Sequence, residues 1–367
     1  MSSYLLSVLL GVIEGLTEFL PVSSTAHLRI IEGWLGIALS DPYWKMFSVV
    51  IQLGAILCLP LYFRSRLWKF ISTFPRGESG QGSFWSHPLT LTGIAFLVTA
   101  VPALLLTKVI GKNLGSLFVM GVSLMVGGVV MWAVDVAYGE RKGGAEANAA
   151  TTKSWTASVE QMSPRQAAWV GFCQIFSAVF PGTSRSMATI AGGQLAGMTR
   201  PAALEFSFLL SIPTMVAATG YDLLKSLRHR EGALGSGPHD LHGWLVLGVG
   251  FAVSFVVAYA VVAWFMRWVR TRGFVPFAIY RIIFGAIVLV LLYSGRASSK
   301  RVRSITQRKL FSARPELQER SGFCPRRRAG SGSVSRHPTG SADHDSERAA
   351  GGGEDPARRP ARRTRER

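Results

Sequence analysis

Cysteine is scarce: three in 367 residues. Cys58 and Cys173 sit in apolar stretches and Cys324 lies near the end of the chain. No spacing among them matches a disulfide framework or a zinc site, so inert thiols are expected. Charge is scarce too: 17% Asp, Glu, Lys and Arg, against roughly 25% in soluble domains. With 49% hydrophobic residues and a mean hydropathy of +0.28, that shortage points to a membrane protein. Acidic residues are the scarcer sign, 21 against 40 Lys and Arg, but the imbalance is uneven. Residues 296–367 hold 19 Lys/Arg and 8 Asp/Glu, a net +11, leaving +8 for residues 1–295. The pI near 10.6 is thus largely a property of the tail and not a nucleic-acid footprint, and no nucleic-acid partner is expected. Met1–Leu10 has no basic residue, and Glu14 and Glu18 interrupt the apolar run after it, so a signal peptide is not expected.

What is present is apolar length. Six stretches suffice to span a bilayer: about 46–63, 88–107, 116–138, 203–221, 243–268 and 276–294. Two further regions, 4–39 and 166–198, each hold two apolar runs too short to cross, separated by Pro21-Val22-Ser23-Ser24-Thr25 and by Pro181-Gly182-Thr183-Ser184-Arg185-Ser186. Backbone broken at membrane depth is tolerated where it lines a cavity or packs in protein. Both regions therefore read as re-entrant helix–break–helix elements.

The fold class expected is an all-α integral membrane protein: six transmembrane helices plus two re-entrant elements in an inverted repeat, about 4–138 and 166–294. Three spans per unit invert the second unit, and broken helices at corresponding positions of such repeats mark a binding site. Residues 1–295 form the expected membrane domain. The basic tail, 296–367, is expected to be disordered and dispensable, or to touch anionic lipid. Loops 64–87, 139–165 and 267–275 carry the denser Lys/Arg, which puts them in the cytoplasm and the mouth of the first broken element on the opposite, periplasmic side.

The polar residues inside these segments carry the chemistry. Glu14 and Glu18 share one helix face. Two carboxylates in an apolar segment are expensive unless a divalent cation such as Mg²⁺ or Ca²⁺ joins them; the bland alternative is an interfacial helix. Ser24 and His27 are three apart, a spacing that lets an imidazole approach a hydroxyl, although Ser23, Ser24 or Thr25 could equally be helix caps. Arg185 lies among Gly182, Thr183, Ser184 and Ser186, where small residues and a helix N-terminus favour an anion. Two carboxylates, a hydroxyl, a His and an Arg suit cleavage of a phosphoanhydride on an amphiphile. A cation-coupled transporter of an anionic solute would need similar parts. Asp135 and Glu205 read as interfacial, His87, His229, His239 and His242 as loop residues, and Gly127, Gly128, Gly192 and Gly193 as helix-packing positions. Pro213 is expected to kink its helix.

Glu14-Gly-Leu-Thr-Glu18-Phe-Leu-Pro-Val-Ser-Ser24-Thr-Ala-His27 closely resembles the first signature of the undecaprenyl-diphosphate phosphatases, also called bacitracin-resistance proteins, and Pro181-Gly-Thr-Ser184-Arg185-Ser186-Met-Ala-Thr189 resembles the second. Val50-Ile-Gln-Leu-Gly-Ala, Glu205-Phe-Ser-Phe-Leu-Leu-Ser-Ile-Pro and Tyr280-Arg-Ile-Ile are similar to further family segments, so the resemblance spans about residues 4–294. It implies an inner-membrane, multi-pass enzyme, requiring a divalent cation, that converts undecaprenyl diphosphate to undecaprenyl phosphate and phosphate for cell-wall glycan export and so confers bacitracin resistance. A transporter or flippase of polyprenyl phosphate is the alternative. The implied site, open to the periplasm, has Glu14 and Glu18 as the acidic, metal-holding pair, Ser24 as nucleophile or phosphate ligand, His27 as catalytic histidine and Arg185 as phosphate clamp. Ser23, Thr25, Gly182, Thr183, Ser184 and Ser186 line the substrate. The expected partners are the polyprenyl diphosphate and membrane lipids, with a homodimer left open. Ala26 and Met187 stand where the family usually has Gly; at Met187 a positive φ would be strained.

Overall fold

In the computed structural model the described residues are 2–37, 41–77, 83–138, 155–228 and 241–312. They form twelve α-helices and, among the described residues, no strand beyond one isolated bridge between Thr156 and Met198. The helices are α1 (Ser3–Thr17), α2 (Ser24–Trp34), α3 (Pro42–Tyr62), α4 (Arg64–Ser72), α5 (Pro88–Leu105), α6 (Thr107–Asn113), α7 (Leu117–Tyr138), α8 (Pro164–Val179), α9 (Arg185–Leu195), α10 (Arg200–Arg228), α11 (Leu241–Thr271) and α12 (Val275–Ser312). Met1–Ile305 make one compact unit and Thr306–Arg367 a second, of which 313–367 lie outside the described residues. α12 is helical through Ser312. The helix thus runs on over 296–312, a stretch with no proline and only Gly295 just before it.

Six helices are long and apolar enough to cross a membrane: Tyr43–Tyr62, Pro88–Leu105, Leu117–Tyr138, Arg200–Tyr221, Leu241–Thr271 and Val275–Ser294. They match the six predicted stretches, and the protein is a multi-pass membrane protein. Caps fix several starts. Asp41 accepts from the backbone N–H of Tyr43 and Trp44 ahead of Pro42, and Ser163 and Gln166 close a capping box around Pro164. Pro213 lies inside α10, which continues past it.

Each half of the chain runs broken pair, span, span, span: α1/α2, α3, α5, α7, then α8/α9, α10, α11, α12. The packing repeats as well. α1 lies on α11 through Gly11 and Gly15, where an added Cβ would sit 2.8 Å from the carbonyl oxygens of Gly250 and Ser254. α8 lies on α5 through Gly171, against the backbone of Ala95. A buried hydroxyl ties each pair: Ser7 donates to the Val246 carbonyl at 2.6 Å and Thr99 to the Gly171 carbonyl at 2.7 Å. Small residues and interhelical hydroxyl bonds hold helices together where lipid removes the hydrophobic drive. Beneath the two breaks lies an apolar core that includes Phe19, Met187, Phe208, Phe265 and Phe274, with Phe208 edge-on to Phe19 at 5.4 Å.

Two charged clusters tie helix ends together. Asp135 is paired inside the protein. It is buried and accepts from Arg200 Nε at 2.7 Å, Gln194 at 3.2 Å and the Phe274 N–H at 2.8 Å, joining α7, α9, α10 and the start of α12. Glu205 meets Arg66 of α4 at 2.7 Å, and Arg66 also reaches Glu160 at 2.7 Å. His87 is the N-cap of α5, accepting from the Leu89 N–H. His242 lies within α11, edge-on to Tyr4 at 4.9 Å. His229 and His239 lie outside the described residues.

Candidate active site

Both broken pairs turn at a serine. Ser23 has φ 75° and Ser184 φ 69°, the two positive-φ non-glycine residues among those described. Such a conformation costs on the order of 1–3 kcal/mol. In each case the serine is the N-cap and the next residue opens a helix: Ser24 begins α2 and Arg185 begins α9. Gly182 (φ 98°) is the glycine the second turn requires, since a Cβ there would also sit 2.5 Å from the Met120 carbonyl oxygen. Met187 is not at a positive φ. It lies in α9, buried in the core against Gly127 of α7, whose missing side chain makes room for it.

The two tips meet at Glu18, the last turn of α1. Ser24 Oγ donates to Glu18 Oε2 at 2.6 Å, and Arg185 Nη2 reaches Glu18 Oε1 at 2.8 Å. The side chains of Arg185 and Glu18 are only 11% and 4% exposed, so the pair lies in low dielectric and is strong where geometry is good. Ser186 Oγ donates to the Leu20 carbonyl at 3.0 Å and lies 3.1 Å from Ser184 Oγ, stitching one tip to the other. Ser184 Oγ also caps the Met187 N–H. Thr25 and Thr183 are half-buried at the rims of the two turns.

Among the buried polar atoms without a hydrogen-bond partner are both carboxylate oxygens of Glu14, Nη1 of Arg185 and Nε of Arg281. Glu14 lies one turn before Glu18 and is fully buried. Unpaired charge at that depth is costly enough to signal a function. Hard carboxylate oxygens without a donor fit a cation such as Mg²⁺ or Ca²⁺. Among the described residues no three His, Cys, Asp or Glu side chains converge. A cation held partly by substrate phosphate oxygens, the usual Mg²⁺ arrangement, fits this donor set better than an all-protein cage.

His27 is placed differently from what the Ser24 spacing allows. Its Nδ1 lies 2.7 Å from the Ser23 carbonyl and its Nε2 2.6 Å from the hydroxyl of Tyr280 on α12. Ser24 takes Glu18, not His27, as its partner. Tyr280 was missed as a site residue although its segment was noted for resemblance.

Arg281 was missed as well. It is fully buried and donates to the carbonyls of Pro21 at 2.9 Å, Gly182 at 3.0 Å and Ser123 at 3.3 Å. Pro21 and Gly182 each stand two residues before the strained serine of their turn. A charged residue six positions into an otherwise apolar span was the available signal.

A profile of the bacitracin resistance protein BacA family matches residues 7–287. The chain belongs to the BacA family. Among its relatives, an undecaprenyl-diphosphatase of Koribacter versatilis is 63% identical over 292 residues, 79% of this chain and 98% of that protein. One from Sorangium cellulosum is 43% identical over 285 residues, 78% of this chain and 85% of that protein. One from Caldanaerobacter subterraneus is 36% identical over 284 residues, 77% and 94% of the two chains. The BacA match takes in most of α1, the rest of both broken pairs, five spans in full and α12 as far as residue 287, and leaves the basic tail outside.

Proposed function

We propose that this chain hydrolyses undecaprenyl diphosphate to undecaprenyl phosphate and inorganic phosphate, recycling the lipid carrier of cell-wall glycans and thereby giving bacitracin resistance. The undecaprenyl-diphosphatase names of its relatives support the substrate. One observation carries the chemistry: Glu18 receives Ser24 from its own tip and Arg185 from the other, while Arg185 Nη1 and the Glu14 carboxylate stay buried and unpartnered. A diphosphate brings the oxygens that Arg185 lacks.

Ser24 is the nucleophile. Its proton passes to Glu18 Oε2 as its Oγ bonds to the terminal phosphorus, and the bond from that phosphorus to the bridging oxygen breaks, releasing undecaprenyl phosphate. Water then takes the phosphoryl group from Ser24, and the serine proton is restored. Arg185 binds the oxygens of the transferring group, on which charge must be balanced as the bonds rearrange. Glu14 and Glu18 would hold the divalent cation, which supplies further charge neutralisation when bound. His27, together with the Tyr280 hydroxyl on its Nε2, serves proton traffic at the leaving oxygen. The first N–H groups of α9, which follow Ser184, offer an anion-binding turn.

The broken pairs α1/α2 and α8/α9 are re-entrant in this reading, entering from opposite faces of the bacterial inner membrane, with the site open to the periplasm. Loop charge supports that orientation. The test is phosphate release from the C55 diphosphate by purified protein in detergent, with a [³²P]-phosphoryl trap on Ser24. No release refutes the phosphatase, and movement of polyprenyl phosphate across vesicles without hydrolysis would support the transport reading instead. Release without any labelled Ser24 removes the serine step.

A further inference from the structure

His27 has no free ring edge. The Ser23 carbonyl can only accept, so Nδ1, 2.7 Å away, carries a hydrogen. The neutral ring then presents Nε2 as an acceptor, and the Tyr280 hydroxyl at 2.6 Å donates to it. Phe284, one turn further along α12, stacks on the imidazole face with centroids 4.4 Å apart and planes within 11°. Two hydrogen bonds and a stacked ring therefore set the position, the tilt and the tautomer of the imidazole. α2 supplies the histidine, and α12 supplies both groups that orient its outer edge and face. Two charged groups belong to these surroundings: Arg281, the next residue of α12, and Glu18, bonded to Ser24 in the first turn of the helix that carries His27.

We propose that Tyr280 is a positioning residue for His27 in the phosphatase reaction, holding Nε2, and with it the orientation of the ring, through both of its protonation states. The inference rests on the phosphatase reading of the site. A hydroxyl suits the task because it donates and accepts. With Nε2 bare, Tyr280 O–H points to the ring. When the ring takes up a proton, the Tyr280 O–H proton passes to Nε2, the incoming proton re-forms the O–H bond on the outer side of the oxygen, and the new Nε2–H donates to that same oxygen. Tyr280 is 44% exposed and His27 6%, so the chain Tyr280–His27–Ser23 runs inward from a residue at the surface of the fold. A phenylalanine in its place would keep the ring beside Phe284 and remove only the hydroxyl.

The experiment is a double-mutant cycle of Tyr280→Phe and His27→Gln in the purified full-length protein, with kcat and KM for phosphate release from the C55 diphosphate and the melting temperature in detergent. Tyr280→Phe should lower kcat about tenfold, as expected for one hydrogen bond at a catalytic group, with KM within twofold and melting unchanged. In the His27→Gln background, Tyr280→Phe should have no further effect, because its action runs through the imidazole. A kcat within twofold of wild type overturns the proposal. So does a loss that multiplies with that of His27→Gln, which is the mark of a general structural role. A second measurement needs no turnover. Nitrogen NMR of ring-labelled histidine, with the His27 signals assigned by their absence in His27→Gln, should show the Nδ1–H tautomer in both proteins, since Ser23 sets it, and an Nε2 resonance that shifts when Tyr280→Phe removes its donor. An unshifted Nε2 resonance in the variant overturns the proposal independently. If the wild type releases no phosphate, the functional reading fails while the NMR result still decides the role of Tyr280.

Discussion

Arg281→Met separates the alignment of the two tips from the stability of the fold. Methionine keeps much of the volume and loses the charge. Three N–H···O bonds from a guanidinium end, two of them to the turns themselves, at Pro21 and Gly182. Hydrogen bonds to charged groups contribute about 1.5–3 kcal/mol each, so roughly 3–6 kcal/mol of tip registration rests on this side chain. An opposing effect works on stability: a guanidinium buried without a carboxylate is expensive, and an apolar side chain of similar volume removes that cost. Melting should therefore move little. The alignment of Ser24 and Arg185 on Glu18 has no such compensation. If half of the registration energy is lost from the transition state, about 1.5–3 kcal/mol, kcat/KM falls between ten- and 150-fold at 1.36 kcal/mol per factor of ten. Arg281→Lys retains charge but cannot span three carbonyls on three elements with one ammonium, and should fall between the two. The assay is phosphate release with melting measured in parallel. A kcat/KM for Arg281→Met within threefold of wild type, or Arg281→Lys falling as far as Arg281→Met, refutes the reasoning.

Glu18→Gln removes the partner of both Ser24 and Arg185; kcat should drop by about 10²–10⁴, the usual worth of a positioned base, and full activity would disprove its role. EDTA should abolish phosphate release and added Mg²⁺ or Ca²⁺ restore it, since the Glu14 oxygens have no protein donor; metal-independent turnover would end the cation assignment. Gly15→Val would drive a side chain into the Ser254 carbonyl and Val257, each 2.8 Å from the Cβ position. α1 should then separate from α11, with lower melting and lost activity together, whereas a fully active variant would show that α1 is not held there. At Glu160, burial pushes the carboxyl up, but the hydrogen bond to its own backbone N–H and the charge of Arg66, with further hydrogen bonds from Ser158 and Arg66, outweigh it and hold the group below its ordinary range. That stabilisation is present above the ordinary carboxylate pKa and disappears as pH falls. Melting should drop on acidification, and Arg66→Gln should shrink the drop; an equal drop in both would place the acid sensitivity elsewhere.

Much of the site was legible in the sequence because it is written locally. Glu14, Glu18, Ser24 and His27 fall within one helix–break–helix, and the spacing alone puts the two carboxylates on a face. The six spans were legible because hydrocarbon thickness sets their length. What the sequence hid is contact across the fold. The Ser24–His27 spacing permits a pairing, yet Glu18, six residues back across the turn, takes the hydroxyl, while Tyr280, 253 residues away, takes the imidazole. Asp135 sits at a helix end and so looked interfacial; its partners come from three other elements that no local pattern connects. Met187 drew suspicion as the bulky residue in a glycine position, but the strain falls three residues earlier, at Ser184, where the helix has not yet begun.

That displacement of the strain explains how Ser24 and Arg185, one from each half of the chain, come to share one carboxylate. In both halves of the chain the turn is held two residues before a serine by the same guanidinium, the serine adopts a positive φ, and the residue after it opens a helix. The first helical position therefore points the same way out of each turn. In the first half it holds Ser24, in the second Arg185. One repeat delivers the hydroxyl and the other the cation, and both reach Glu18 from opposite sides. The division is chemically necessary. A nucleophile and its charge clamp cannot occupy the same first position of one helix, and neighbouring positions on a helix do not face each other. Two copies of one turn, each carrying a different side chain at the same place, solve that problem. Their strain, on the order of 1–3 kcal/mol per serine, is what fixes the directions in which the two groups leave the backbone.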